Sequence, residues 1–329
     1  MTAVRAAPCG PGTRDRYLHS GCRFHYRVAM PELMPDSPDV DPVPADATPF
    51  PDPVLAAPHT TGVTVEEWLV PGALGDPEVP VRIHTPDTCP DGNPAARPVV
   101  LEIPGRGSGP GSAAPDEAFA AAVARATGAI VVSVDYRLAP EDPPSAADDC
   151  YAVLEWVASG AACLDMDPDR IVVLGDAAGG ALAAAVALRA RDEDGPHIAL
   201  QALLEPELDD RTGSVRDGAA GRDDLDATRD RRHHLGGREA TEQSGPAHRI
   251  DLTGLPSTYL AVDEHGPFRD AATDYARRLL QAGVPVELHC HRGAFPGSLL
   301  ARDAGARATR ALCDAIVRAT ARTPVLDPD

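Results

Sequence analysis

The chain has 329 residues, 43% of them hydrophobic, and a formal net charge of −20. That length fits one large α/β domain or two small ones with a sizeable core, and the acidity excludes nucleic acid and anionic membrane surfaces as partners. All 30 basic residues are arginine, which excludes a Schiff-base lysine and a P-loop lysine.

Seven cysteines, an odd number without CxxC spacing, indicate neither a zinc site nor a disulfide framework. No metal and no other cofactor is expected. Residues 1–17 are charged and lack an apolar segment, so no secretory signal is expected. No stretch reaches the roughly 18 apolar residues of a membrane span, and a cytoplasmic, soluble protein is expected.

Residues 1–60 are rich in proline and acids, which disfavours regular structure. They read as a poorly ordered arm, a candidate part of a lid, ahead of a domain over 61–329. Strands at 64–70 and 79–85 read as an antiparallel pair. A buried strand at 98–103 runs into a glycine-rich loop. A helix at 116–127 leads to an almost continuous apolar strand at 129–135, the pattern of a strand covered on both faces. The alternation continues with a helix at 145–158, a strand at 170–175, a helix at 180–191 and a strand at 199–204. After a polar insertion at about 205–253 come a strand (257–262), a helix (269–282), a strand (286–291) and a helix (301–321). Strands alternating with helices imply a mainly parallel sheet covered on both faces. The insertion is too long for an ordinary connection and reads as cap-like.

The stretch Gly-Asp-Ala-Ala-Gly-Gly at 175–180 stands between an apolar strand and an alanine-rich helix. A strand turning on small residues into a helix is the geometry of a nucleophile elbow. Its centre is Ala177, and a methyl group cannot attack a carbonyl.

Several motifs occur in a recognisable order: Ser-Val-Asp-Tyr-Arg-Leu-Ala-Pro-Glu (133–141), Asp-Pro-Asp-Arg-Ile-Val-Val-Leu-Gly-Asp (167–176), Gly-Leu-Pro-Ser-Thr-Tyr (254–259), Pro-Phe-Arg-Asp (267–270) and Ala-Gly-Val-Pro-Val-Glu-Leu-His (282–289). With these, the chain resembles the hormone-sensitive-lipase-like esterases and lipases of the α/β-hydrolase fold over about 64–315. The resemblance implies an eight-stranded, mainly parallel sheet flanked by helices. It also implies that a Ser/Asp/His triad falls on Ala177, Gly266 and Pro296, and that the oxyanion loop falls on Pro104, Gly105, Arg106 and Gly107.

Serine, histidine and aspartate act as one unit in such a triad, and losing the serine or histidine costs on the order of 10⁶ in kcat. The expectation is therefore a non-hydrolytic pseudoenzyme binding a small acyl or carbonyl ligand or a protein partner. The alternatives are an enzyme of altered chemistry (a cyclase, isomerase or lyase) and a rewired carboxylic-ester hydrolase. The amides of Gly105, Arg106, Gly107 and Ala178 form the expected remnant of the ligand pocket. Glu102 and Glu205, where the family often has tyrosine, are candidate acid/base groups, since a buried carboxylate must be paired or have a raised pKa. His289 and His291 alternate on one strand face, but no third ligand completes a metal site. A homodimer through the last strand, 286–291, is compatible with the resemblance.

Overall fold

Apolar runs become central strands because only a sheet covered on both faces can bury them. The computed structural model describes residues 60–89, 92, 96–105, 113–137, 145–160, 164–208, 246, 249–292 and 302–322. The expected arm (except residue 60), most of the expected insertion, and Arg106, Gly107 and Pro296 lie outside these residues.

Eight strands run in chain order: β1 (Val63–Val70), β2 (Val79–Pro86), β3 (Arg97–Ile103), β4 (Ile130–Val134), β5 (Met166–Asp176), β6 (Leu200–Leu204), β7 (Ser257–Asp263) and β8 (Val286–His291). The longer helices are α1 (Ala113–Thr127), α2 (Ser145–Gly160), α3 (Ala177–Asp192), α4 (Arg269–Gln281) and α5 (Arg302–Ala319). The strands form one sheet in the order β1-β2-β4-β3-β5-β6-β7-β8. β2 pairs antiparallel with β1 and β4, and every other pairing is parallel. The fold is an α/β-hydrolase fold, as the motif order implies.

β3 and β6 are buried along their whole length, and successive residues serve opposite faces. Val99, Leu101 and Ile103 join Val173 and Leu203 against Leu154 of α2, Val186 of α3 and Leu279 of α4. Val100, Val172 and Ala202 join Val123 of α1 with Leu312 and Ile316 of α5. Burying each large aliphatic side chain contributes roughly 1.5–3 kcal/mol, so the sheet is the rigid frame from which the C-terminal ends of β3 to β8 project.

Three elements start earlier than the sequence expectation, α1 among them at Ala113, not 116. β5 begins at Met166, not 170, because the polar stretch before Ile171 is tied down by its arginine. Arg170 pairs with Asp167 at 2.8 Å and donates to the carbonyl oxygens of Ala96 and Thr320. α3 begins at Ala177, not 180, because the two glycines lie inside its first turn. β8 forms one edge of the sheet and leaves Leu288 43% exposed. No helix among the described residues is long and apolar enough to cross a membrane.

His84 on β2 is fully buried, and burial pushes its pKa below the usual histidine value, although nearby Glu117 pulls it up. The unfolded chain therefore takes up this proton first as pH falls, so folded-state stability declines below about pH 6.5. Between pH 7.5 and 5.5 the wild type should lose up to about 1.4 kcal/mol more than His84→Leu. Urea unfolding of both proteins at the two pH values checks this, and equal losses would contradict it.

Candidate active site

The C-terminal edge of the sheet gathers the chemistry. β5 ends at Asp176, and the chain turns into α3 with Ala177 at φ 46. A left-handed backbone at a non-glycine residue is strained and is maintained only where the surroundings impose it. Here they do: Gly179 packs its backbone onto the end of β3, and a Cβ at 179 would overlap the Ile103 carbonyl oxygen. The turn thereby holds Ala177 at the vertex and places the first N–H groups of α3, that of Ala178 included, at the sheet edge. Such amides have no intrahelical partner and carry the positive end of the helix dipole. The Asp176 side chain makes no capping bond to them.

Asp176 acts across the gap instead. Its Oδ1 accepts a hydrogen bond from the Gly105 N–H at 2.6 Å, tying the root of the loop after β3 to the elbow. The residue keeps some accessible surface, yet burial of its carboxyl raises the pKa, and the Gly105 bond offsets only part of that. Tyr136 supports the same root by donating to the Pro104 carbonyl oxygen at 2.7 Å. Arg137 locks the segment after β4 to α2, pairing with Asp149 at 2.7 Å. The Asp-Tyr-Arg stretch is thus a brace under the loop.

On the other side of the elbow, Asp176 is in register with Leu204, and Glu205 follows at the end of β6. Glu205 is 8% exposed, has φ 44, and its N–H donates to the Ala261 carbonyl at 2.8 Å. Glu207 N–H donates to the Ala177 carbonyl at 3.0 Å, fastening this turn to the elbow. Beyond β7, Gly266 N–H donates to the Asp263 carbonyl at 3.0 Å, and a Cβ built on Gly266 would stand 3.2 Å from Glu205 Oε1 and 3.2 Å from Asp263 Cβ. Asp263 is fully buried and in register with His291.

The expected site residues are thus partly brought together. Gly105, Ala177, Ala178, Glu205 and Gly266 share the sheet edge, with the Gly105 amide already engaged by Asp176. Glu102 does not join them: it is in phase with Val100 on the α1/α5 face, where the Ser133 hydroxyl donates to its Oε2. His289 contacts Glu287 at 2.8 Å and the Tyr259 ring at 5.1 Å. His291 has a depressed pKa, chiefly from burial and then from His289, while Asp263 raises it. No group of three or more His, Cys, Asp or Glu residues among the described residues could hold a metal ion. Sequence reasoning did not single out Asp263; its signal was an acid closing an otherwise apolar strand.

A strand–turn–helix elbow beside a braced loop defines the α/β-hydrolase class of site. A family model described as alpha/beta hydrolase fold matches residues 106–299, and the chain belongs to this hormone-sensitive-lipase-like family. Carboxylesterase NlhH of Mycobacterium tuberculosis is 38% identical over 237 residues, 68% of this chain and 72% of the relative. Esterase LipI of the same organism is 39% identical over 227 residues, 66% of this chain and 70% of that one. Among solved structures, a bacterial heroin esterase superposes with TM-score 0.74 at 40% identity, covering 82% of this chain and 88% of its own. These relatives overturn the expectation of a non-hydrolytic pseudoenzyme, and with it the cyclase, isomerase or lyase alternative: chains this similar carry names for ester hydrolysis. The expectation rested on missing side-chain atoms alone, and those atoms serve one route to hydrolysis among several.

The Asp176–Gly105 bond yields a stability prediction. Asp176→Ala strands a buried N–H and should cost about 1–3 kcal/mol, whereas Asp176→Asn keeps an acceptor and should cost about 1 kcal/mol or less. Denaturant midpoints distinguish them, and equal losses would show that the bond does not hold the loop.

Proposed function

We propose that the chain hydrolyses carboxylic esters of small molecules, and that it does so by direct attack of water without an acyl-enzyme. The observation that carries this reading is the similarity at 38% identity to a carboxylesterase across 68% of the chain, with the elbow and its braces intact. In this reading Ala177, Gly266 and Pro296 occupy the triad positions, so the covalent route through residue 177 is closed. What is retained is electrostatic: the α3 N-terminus supplies donors for charge developing on the acyl oxygen. A site that keeps its donors and binding surface without a triad gives about 10³–10⁴ over the uncatalysed rate. The protein acts in the cytoplasm, needs no cofactor, and its partner is the small-molecule ester.

Purified protein assayed on short-chain aryl esters should give turnover proportional to its concentration, about 10³–10⁴ above buffer, and unaffected by a fluorophosphonate directed at serine. Ala177→Ser alone should change the rate by less than about tenfold, because Pro296 stands at the triad's histidine position and no imidazole takes up and returns the hydroxyl proton. A rate equal to buffer would overturn the reading of hydrolysis. Inhibition by the fluorophosphonate would overturn the reading of water attack.

A further inference from the structure

Beside the elbow, the turn after β6 carries a carboxylate whose placement is costly and specific. We infer that Glu205 is the general base of the reaction, drawing the proton from the water that attacks beside the Ala177 methyl; the inference rests on the ester-hydrolase reading above.

Three observations converge on this residue. First, its position: Leu204, the last residue of β6, pairs in register with Asp176, and the Glu207 N–H bonds to the Ala177 carbonyl, so the turn that carries Glu205 is fastened to the elbow. Second, its backbone: φ 44 at a buried, non-glycine residue is unfavourable, yet it is held from both sides. The Glu205 N–H bonds to Ala261 of β7 and the Glu207 N–H bonds to Ala177 itself. Strain maintained by its surroundings at a site edge is a mark of a positioned functional group. Third, its room: Oε1 lies 3.2 Å from where a Cβ of residue 266 would be. Glycine there leaves the space into which the carboxylate reaches, and a larger side chain would press on it. Asp263, whose Cβ borders the same space, and Asp176 on β5 are the neighbouring acids.

The step balances without a further reactant. The Glu205 carboxylate accepts a proton from water as the water oxygen bonds to the acyl carbon, and the carbonyl π pair moves onto oxygen facing the α3 N–H groups. Collapse re-forms the C=O bond and breaks the acyl C–O bond. The leaving alkoxide takes the proton back from Glu205, giving an alcohol and a carboxylic acid that ionises in solvent.

Two measurements test the assignment. In the aryl-ester assay, Glu205→Gln should lower kcat by about 10²-fold or more and abolish the fall in rate on the acid side of the wild-type pH profile, while Glu205→Asp retains part of both. A Glu205→Gln rate within about threefold of wild type, with an unchanged pH profile, would overturn it. The second measurement does not depend on turnover. Gly266→Asp puts a second carboxylate into the space of Glu205, so it should lower the thermal midpoint, and Glu205→Ala in the same chain should recover part of the loss. Additive effects in that cycle would overturn the placement. Coupled stabilities with no ester turnover in the wild type would instead confirm the placement and defeat the hydrolase reading, taking the catalytic role with it.

Discussion

The close approach of the α3 first turn to the end of β3 is the constraint on which the site depends. Because Gly179 carries no side chain, the backbone of the turn lies against the Ile103 carbonyl. That contact draws the helix start to residue 177, holds Ala177 in a left-handed conformation, and brings Asp176 within reach of the Gly105 N–H. A sheet edge, a helix N-terminus and a loop root are thereby joined over a few residues. Tyr136 braces the same loop root through the Pro104 carbonyl, and Arg137 ties the segment after β4 to α2.

What the frame presents is separable from the atom at its vertex. Helix N–H groups at the edge stabilise charge on an acyl oxygen whichever nucleophile attacks. In the proposed attack by water, a methyl group at 177 leaves that stabilisation in place. Similarity to named carboxylesterases therefore accords with the elbow as it stands, once the attacking group is taken to be water. In the proposed reaction Glu205, at the turn after β6, is the proton acceptor that such an attack requires.

The frame was largely legible from the chain because strands buried on both faces are mostly apolar, and β4 and the second half of β5 read as nearly continuous apolar runs. Element starts were less legible. β5 extends back through Asp-Pro-Asp-Arg only because Arg170 finds carbonyl partners distant in sequence, and α3 starts early because Gly179 meets a different strand. Within the site, Gly105, Ala177 and Glu205 could be placed by motif order. Glu102 could not, since its face depends on strand phase, and neither could the crowding of Glu205 and Asp263 around Gly266, which arises from a turn conformation. The functional inference failed for a related reason: the residues reveal which atoms are absent, whereas ester hydrolysis depends on the donors and acceptors that the fold assembles.

The most direct test of water attack at an alanine elbow is the intact mass of the protein, acid-quenched during turnover of an excess of aryl ester. The account predicts release of carboxylic acid while the chain keeps its unmodified mass throughout. An acyl adduct on any residue, or no acid beyond that formed in buffer, would contradict it.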